Sequence, residues 1–370
     1  MILISIVYLL LIGSFIYGFN KLRSYSIKNN KAEISFSIII PFRNEADNLP
    51  TLLASIAYLD YPHDQFEIIF VDDNSNDASA DLIKASSAKS PLNIRLIPND
   101  RRSDSPKKDA ITTAISQAKY EWIITTDADC NLPKYWLQSF NNFIQETDTL
   151  YIAAPVTYSI KNTFLMRFQL LDVLSLQGAT IGGFGINKPF MCNGANLCYK
   201  KSIFKDLQGF KGNDHIAGGD DIFFLEKVAK AYPQQMHYLK CREAIITTTP
   251  QMSWQDLISQ RIRWAAKTSS YNNWFGKFTG FIVLLMNALA IALLMLTFIS
   301  VTYVKSLLYV LLIKFSIDFF LIYKTALFFN QKTALRSYFF SFLLYPFFSS
   351  YVAVASTFKG YSWKGRTFRK

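Results

Sequence analysis

Residues 2–19 (ILISIVYLLLIGSFIYGF) form an unbroken apolar run, and Lys21, Arg23, Lys28 and Lys31 follow it at once. At 1.5 Å per residue the run covers about 27 Å, close to a hydrocarbon core, so the pattern predicts a membrane anchor over 1–20. A cleavable leader would open on basic residues and end at a small-residue cleavage site. Here the start is uncharged and the basic cluster lies after the span. We therefore expect an uncleaved anchor with the next segment in the cytoplasm.

Two further uncharged runs, Phe281–Val304 and Tyr338–Phe358, lie near the other end, the latter holding Pro346. Between them Ser306–Phe329 is apolar apart from Lys314, Asp318 and Lys324. Lys314 and Asp318 stand one helical turn apart, as a structural ion pair or a substrate path would have them. About three spans are thus expected over 280–358. The tail, 359–370, carries Lys359, Lys364, Arg366, Arg369 and Lys370. Three spans after a cytoplasmic domain leave that tail outside, whereas its charge favours inside. Either a re-entrant segment or an exception to the charge rule would reconcile the two.

From 33 to 250 the texture changes to alternating strand and helix signals. Ser35–Ile40 is a β-rich run expected to stop at Pro41. Leu49, Leu52, Leu53, Ile56 and Leu59 follow with helical spacing, Pro50 being tolerated in a first turn. Glu67–Val71, Ile94–Ile97, Glu121–Thr126 and Leu150–Ala154 read as strands, with helices near 78–88 and from Ala110 to Ala118. Such alternation predicts an α/β domain with a mostly parallel sheet and right-handed crossovers. Ligands of such sheets bind beyond the carboxyl ends of the strands. Asp72, Asp73, Asp127 and Asp129 all fall at those ends.

Composition sharpens this picture. Of 370 residues, 51 % are hydrophobic and only 18 % charged, yet the net charge is +12. Soluble domains carry about 25 % charged residues, so a membrane protein with a soluble part is indicated. The basic residues flank the apolar runs, which points to anionic lipid rather than nucleic acid as their partner. Cys130, Cys192, Cys198 and Cys241 have no ligand spacing, which argues against a zinc site or disulfide framework.

Three clusters carry candidate chemistry. Asp127-Ala-Asp129 is either a pair of loop-capping acids or a hard-oxygen site for Mg2+ or Mn2+, the ion neutralising a diphosphate leaving group. Asp220-Asp221 follows Gly218-Gly219 and precedes an apolar helix start. These are helix N-terminal acids or a general base flanked by a like charge. Over 251–275, Ser253 and Asp256 read as a capping box. Trp254, Leu257, Ile258, Ile262 and Ala265 then make an apolar face fit for the membrane interface. Gln260, Arg263, Trp264 and Lys267 make a second face, able to meet a diphosphate or a sugar. Lys107-Lys108 opens a helix, where a cation would suit a phosphate.

Taken in order, Ile40-Pro41-Phe42-Arg43-Asn44-Glu45, Asp72-Asp73-Asn74-Ser75, Lys107-Lys108, Asp127-Ala128-Asp129, Gly219-Asp220-Asp221 and Gln260-x-x-Arg263-Trp264 resemble the family 2 glycosyltransferases. More narrowly they are similar to the membrane-bound branch that includes cellulose, hyaluronan and chitin synthases and ceramide glucosyltransferase. The resemblance spans roughly 33–270 and implies a GT-A fold, Rossmann-like, flanked by transmembrane helices. It also implies a nucleotide-sugar donor of the UDP-sugar class, a divalent metal, Mg2+ or Mn2+, and inversion at the anomeric carbon. On it Pro41 and Glu45 line the nucleotide pocket, Asp73 contacts base or ribose, and Lys107 and Asp127 serve the diphosphate. Asp129, with Asp127, holds the metal, and Asp221 beside Asp220 is the general base. Gln260, Arg263 and Trp264 close over diphosphate and acceptor, and Asn193-Gly194 belong to an acceptor-side loop. Pro106 stands where the lysine motif usually has glycine, and the acidic pair is Asp-Asp rather than Glu-Asp. The implied reaction is transfer to a lipid-linked or membrane-embedded acceptor at the inner face of the cytoplasmic membrane. A processive polysaccharide synthase and a catalytically silent scaffold are the alternatives.

Overall fold

A computed structural model describes residues 1–28, 30–358, 361–363 and 366–368. The chain forms two compact units that interleave in sequence: 23–159 with 191–249, and 1–22 with 160–190 and 250–370. The segment expected as one domain over 33–250 is therefore interrupted by 160–190.

The first of these units is α/β. Its strands are β1 (Phe36–Phe42), β2 (Phe66–Asp72), β3 (Asn93–Pro98), β4 (Trp122–Thr125), β5 (Cys130–Asn131), β6 (Tyr151–Ala153), β7 (Val156–Tyr158), β8 (Leu197–Lys200), β9 (Met236–Tyr238) and β10 (Ile246–Thr248). Seven of them make the main sheet in the order β3-β2-β1-β4-β8-β6-β9, while β5, β10 and β7 make a smaller one. Neighbours in the main sheet are parallel except at β8, which runs antiparallel to β4 and β6. Phe36, Ile38, Ile40, Ile68, Phe70 and Ile124 are fully buried or nearly so, as strands covered on both faces require.

Contrary to the expected stop at Pro41, β1 continues to Phe42, with Pro41 opposite Val71 of β2. The ladder with β4 ends at Ile39, so the imide of Pro41 replaces no hydrogen bond on that flank. The strand order also fixes where ligands go. From β1 the chain moves outward through β2 and β3, then returns to pair β4 on the other flank of β1. The crevice beyond the carboxyl ends of β1 and β4 is the topological switch point, where the connections leaving the two adjacent strands diverge.

The second unit is helical. Four of its helices are long and apolar enough to cross a membrane: Ile2–Lys21, Trp274–Thr297, Thr302–Phe328 and Lys332–Phe358. The expected span Phe281–Val304 is corrected: the helix ends at Thr297, and the next begins at Thr302. Phe298, Ile299 and Val301 in the turn are apolar and strongly exposed. Hydropathy reads immersion in lipid and is blind to a backbone reversal made of such residues. Pro346 stays inside its helix. Lys359, Lys364, Arg369 and Lys370 of the basic tail lie outside the described residues.

A helix without a counterpart in the sequence pattern, Phe164–Gly185, belongs to this unit. It lies backbone to backbone with the first helix. A Cβ on Gly18 would come within 2.1 Å of the Gly182 carbonyl oxygen, and one on Gly185 within 2.0 Å of that of Gly18. Small residues at helical spacing permit such approach between apolar helices. Deeper in the unit Lys314 pairs with Asp318, whose Oδ1 accepts a 2.6 Å bond from Tyr8. This ties the first helix to Thr302–Phe328 through satisfied polar groups, which is how buried charges persist in lipid.

Candidate active site

Three loops leave the switch-point end of the sheet. Asn44, in the left-handed conformation at φ 53°, turns the chain sharply after β1. Its N–H donates to Ser75 Oγ (3.0 Å) and its Oδ1 accepts from the Asn76 N–H (2.9 Å), stitching the β1 loop to the β2 loop. Asn tolerates that backbone better than most residues. Glu45 follows, its N–H bonded to Ser79 Oγ at 2.8 Å and its Oε2 accepting from Asn48 at 2.7 Å. Half-buried Pro41 sits just before, within β1.

Asp127 and Asp129 emerge from β4 between the two sheets. Asp129 is pushed up to about 6 by burial first, then by the negative charges of Asp127 and Glu45, with the Thr248 hydroxyl opposing. Carboxylates crowded in this way favour a cation. A cleft of about 160 Å³ opens beside Asp129, lined also by Asn48, Thr51, Asn131, Thr247 and Thr248. Among the described residues no group of three or more His, Cys, Asp or Glu could hold a metal ion. A hard divalent ion fits the two carboxylates, provided phosphate oxygens or water complete its shell, as Mg2+ sites commonly have it.

Lys107 joins this pair to the second acidic pair. Its Nζ lies 2.6 Å from Asp127 Oδ1 and 3.5 Å from Asp220 Oδ2. Burial pulls the ammonium down, but Asp127 and Asp220 outweigh it and hold Lys107 charged, well above the ordinary lysine value. Pro106 occupies the first turn of the helix Pro106–Gln117, where its missing N–H costs nothing. Asp220 and Asp221 open the helix Asp220–Ala231 behind left-handed Gly219. Asp221 Oδ2 accepts from the Gly194 N–H at 3.2 Å and Oδ1 from the Ile222 N–H at 2.8 Å. The carbonyl of Gly194 accepts from Thr125 Oγ1 at 2.9 Å, and Asn193 Oδ1 caps the Ala195 N–H at 3.0 Å. A Cβ at Gly194 would stand 2.9 Å from Asp220 Oδ2, so a side chain here would displace that carboxylate.

Asp73 stands differently. Arg101 grips its carboxylate in a two-pronged pair (2.6 and 2.8 Å), and Asn99 adds a third bond at 2.8 Å. Sequence reasoning missed both partners; the Arg101-Arg102 dipeptide just after β3 was the available signal. Gln260, Arg263 and Trp264 lie in the helical unit, on Trp254–Ala265. The expected capping box is there: Ser253 Oγ accepts from the Asp256 N–H at 3.1 Å and donates to its carboxylate at 2.6 Å. The apolar face of this helix packs with Val352, Ala355 and Phe348 of Tyr338–Phe358. Arg261 was not anticipated. It pairs with Asp172 at 2.7 Å, stacks over Trp264 at 4.3 Å and donates to Gln260 Oε1. Tyr345 completes the Asp172 carboxylate at 3.1 Å.

The profile of Glycosyl transferase family 2 matches residues 37–208, which include all but the first residue of β1, the Asp127–Asp129 turn and the Gly194 loop. The chain carries a family 2 glycosyltransferase domain. Glycosyltransferase AglE of Haloferax volcanii is 23 % identical over 197 residues, covering 53 % of this chain and 61 % of that protein. A poly-beta-1,6-N-acetyl-D-glucosamine synthase of Staphylococcus epidermidis is 24 % identical over 273 residues, 69 % of this chain and 61 % of the synthase. The chain thus spans about three-fifths of the length of both relatives. Among solved structures, the mannosyltransferase PcManGT from Pyrobaculum calidifontis, in complex with GDP-Man and Mn2+, aligns at TM-score 0.55 and 16 % identity, covering 96 % of this chain and 98 % of that one. The fold of the glycosyltransferase domain is GT-A.

Proposed function

We propose that this glycosyltransferase transfers one sugar from a nucleoside-diphosphate sugar, a UDP-sugar by preference, to a hydroxyl of a lipid-linked or membrane-embedded acceptor. The observation that carries this reading is Lys107, set between Asp127 and Asp220 and so joining a cation-seeking pair to the acidic pair that holds Asp221. Asp221 takes the proton of the acceptor hydroxyl as its oxygen forms the new bond to the anomeric carbon. The bond from that carbon to the diphosphate breaks with its electrons going to phosphate, and one displacement inverts the centre. Asp129 with Asp127 would hold Mg2+ or Mn2+, which supplies neutralisation of the leaving diphosphate. Lys107 sits where it adds charge to the same phosphate, and the backbone N–H groups of Gly194 and Ile222 keep the base oriented. Glu45 and Pro41 border the nucleotide. Asp73, its carboxylate fixed by Arg101 and Asn99, contacts the base or ribose. Gln260, Arg263 and Trp264 serve diphosphate and acceptor. The basic residues after the first span support a domain at the cytoplasmic face.

Similarity to a polysaccharide synthase favours processive addition as the second reading. Protein in lipid nanodiscs, given Mn2+ or Mg2+, labelled nucleotide sugars and extracted membrane lipids, separates the two. One added sugar supports the proposal, a ladder of products supports the synthase, and no turnover with any donor sinks both.

A further inference from the structure

Lys107 meets the acidic pair directly, whereas its neighbour Lys108 is 1 % exposed and turns away into the fold. The Lys108 Nζ donates to the carbonyls of Asn213 (2.5 Å) and Ile216 (3.0 Å) and lies 4.5 Å from the Phe223 ring centroid. These contacts bracket the acidic pair. Residues 213–216 come before the Gly218-Gly219 turn, and Phe223 lies in the first helical turn after it. Ser105, fully buried at the start of the same lysine-bearing helix, accepts from the Gly218 N–H at 3.1 Å. Gly218 and Gly219 both adopt left-handed backbone, at φ 76° and 69°. Two consecutive glycines reach that shape without strain, but they reach many others as readily. Something outside the turn must therefore select it, and a buried ammonium shared between two carbonyls makes charge-assisted bonds strong enough to do so.

We infer that Lys108 is a positioning residue for Asp221. It pins the 213–219 turn so that the Asp221 carboxylate stays against the Gly194 N–H and beside the Asp127–Lys107–Asp220 cluster. This rests on the reading of Asp221 as general base. Lys227 supplies the control. It gathers the carbonyls of Leu207 (3.2 Å), Gly209 (2.7 Å) and Lys211 (2.9 Å), at the far end of the same loop.

The full-length chain in nanodiscs is compared with Lys108→Met, Lys108→Arg, Ser105→Ala, Lys227→Met and Asp221→Asn, using the donor found in the panel above. Misplacement of a base by about 1 Å should cost about 100-fold in kcat in Lys108→Met, while donor Kd changes less than about 3-fold. Ser105→Ala should lose kcat in the same direction by about 5-fold, Lys108→Arg should recover part of the loss, and Lys227→Met should stay within about 2-fold. Amide exchange over 213–222 should quicken in Lys108→Met and Ser105→Ala alone. Unchanged kcat in both of those variants, or an equal loss in Lys227→Met, overturns the inference. If Lys108→Met does not fold, Ser105→Ala decides by the same criteria. Turnover kept in Asp221→Asn removes the base assignment instead, a result that leaves the other variants' exchange pattern to judge the turn.

Discussion

Lys107 and Lys108 are identical neighbours with opposite surroundings, one at a junction of carboxylates and one beneath a turn. In the sequence the dipeptide carried only the weak signal of a helix opening, because nothing local says which lysine faces out. The carboxylates were more legible, since acids placed directly after buried strands have only the sheet's open end to occupy. What lay hidden was their state. The ties from Arg101 and Asn99 to Asp73 come from a loop whose path no periodicity announces. Three substitutions test this scale. Asp221→Asn should cut turnover by about 10²–10⁴-fold and spare nucleotide affinity, as measured by rapid-quench and calorimetry. Asp129→Ala should abolish the metal dependence of nucleotide binding; a titration showing the same Mn2+ response as the parent would remove Asp129 as a ligand. Gly194→Ala pushes on Asp220 Oδ2, and turnover should fall with little change in melting temperature.

At the scale of elements, the parallel strands β1 to β4 and the long apolar helices could be read because each follows a single period or none. The helix Phe164–Gly185 could not. Its apolar residues run all round it and its glycines look like turn signals, yet those glycines are what let it lie against the first helix. The antiparallel β8 was equally invisible, since strand direction is a property of connections and not of composition. Arg261 and Asp172 join the Trp254–Ala265 helix to Phe164–Gly185. Breaking such a buried pair costs about 3–5 kcal/mol, so Asp172→Asn should lower the thermal midpoint markedly and weaken the presentation of Gln260 and Trp264. A melting curve in nanodiscs superimposable on that of the parent would show that the pair contributes no stability.

Across the whole molecule, the sheet-based unit and the helical unit each draw on separated stretches of chain. The transitions in hydropathy marked where apolar runs begin, but they did not show that 160–190 leaves one unit for the other. No local signal encodes that exchange. It depends on which distant surface a segment meets. The composition has the same logic: the charge excess collects beside the apolar helices, while the candidate site's acids gather at one end of a sheet. If the domain faces the cytoplasm, a single cysteine placed at exposed Asp47 should react with a membrane-impermeant maleimide only after cells are opened; labelling of intact cells would reverse the orientation.

The glycine contact between the first helix and Phe164–Gly185 also sets a clock. A ribosome adding about 5–20 residues per second needs on the order of ten to thirty seconds to pass from the first helix to the second. Throughout that interval the first helix stands without the partner that its glycine is shaped to receive. Birth order thus obliges the cell to hold an incomplete helical assembly while most strands of the sheet are being made.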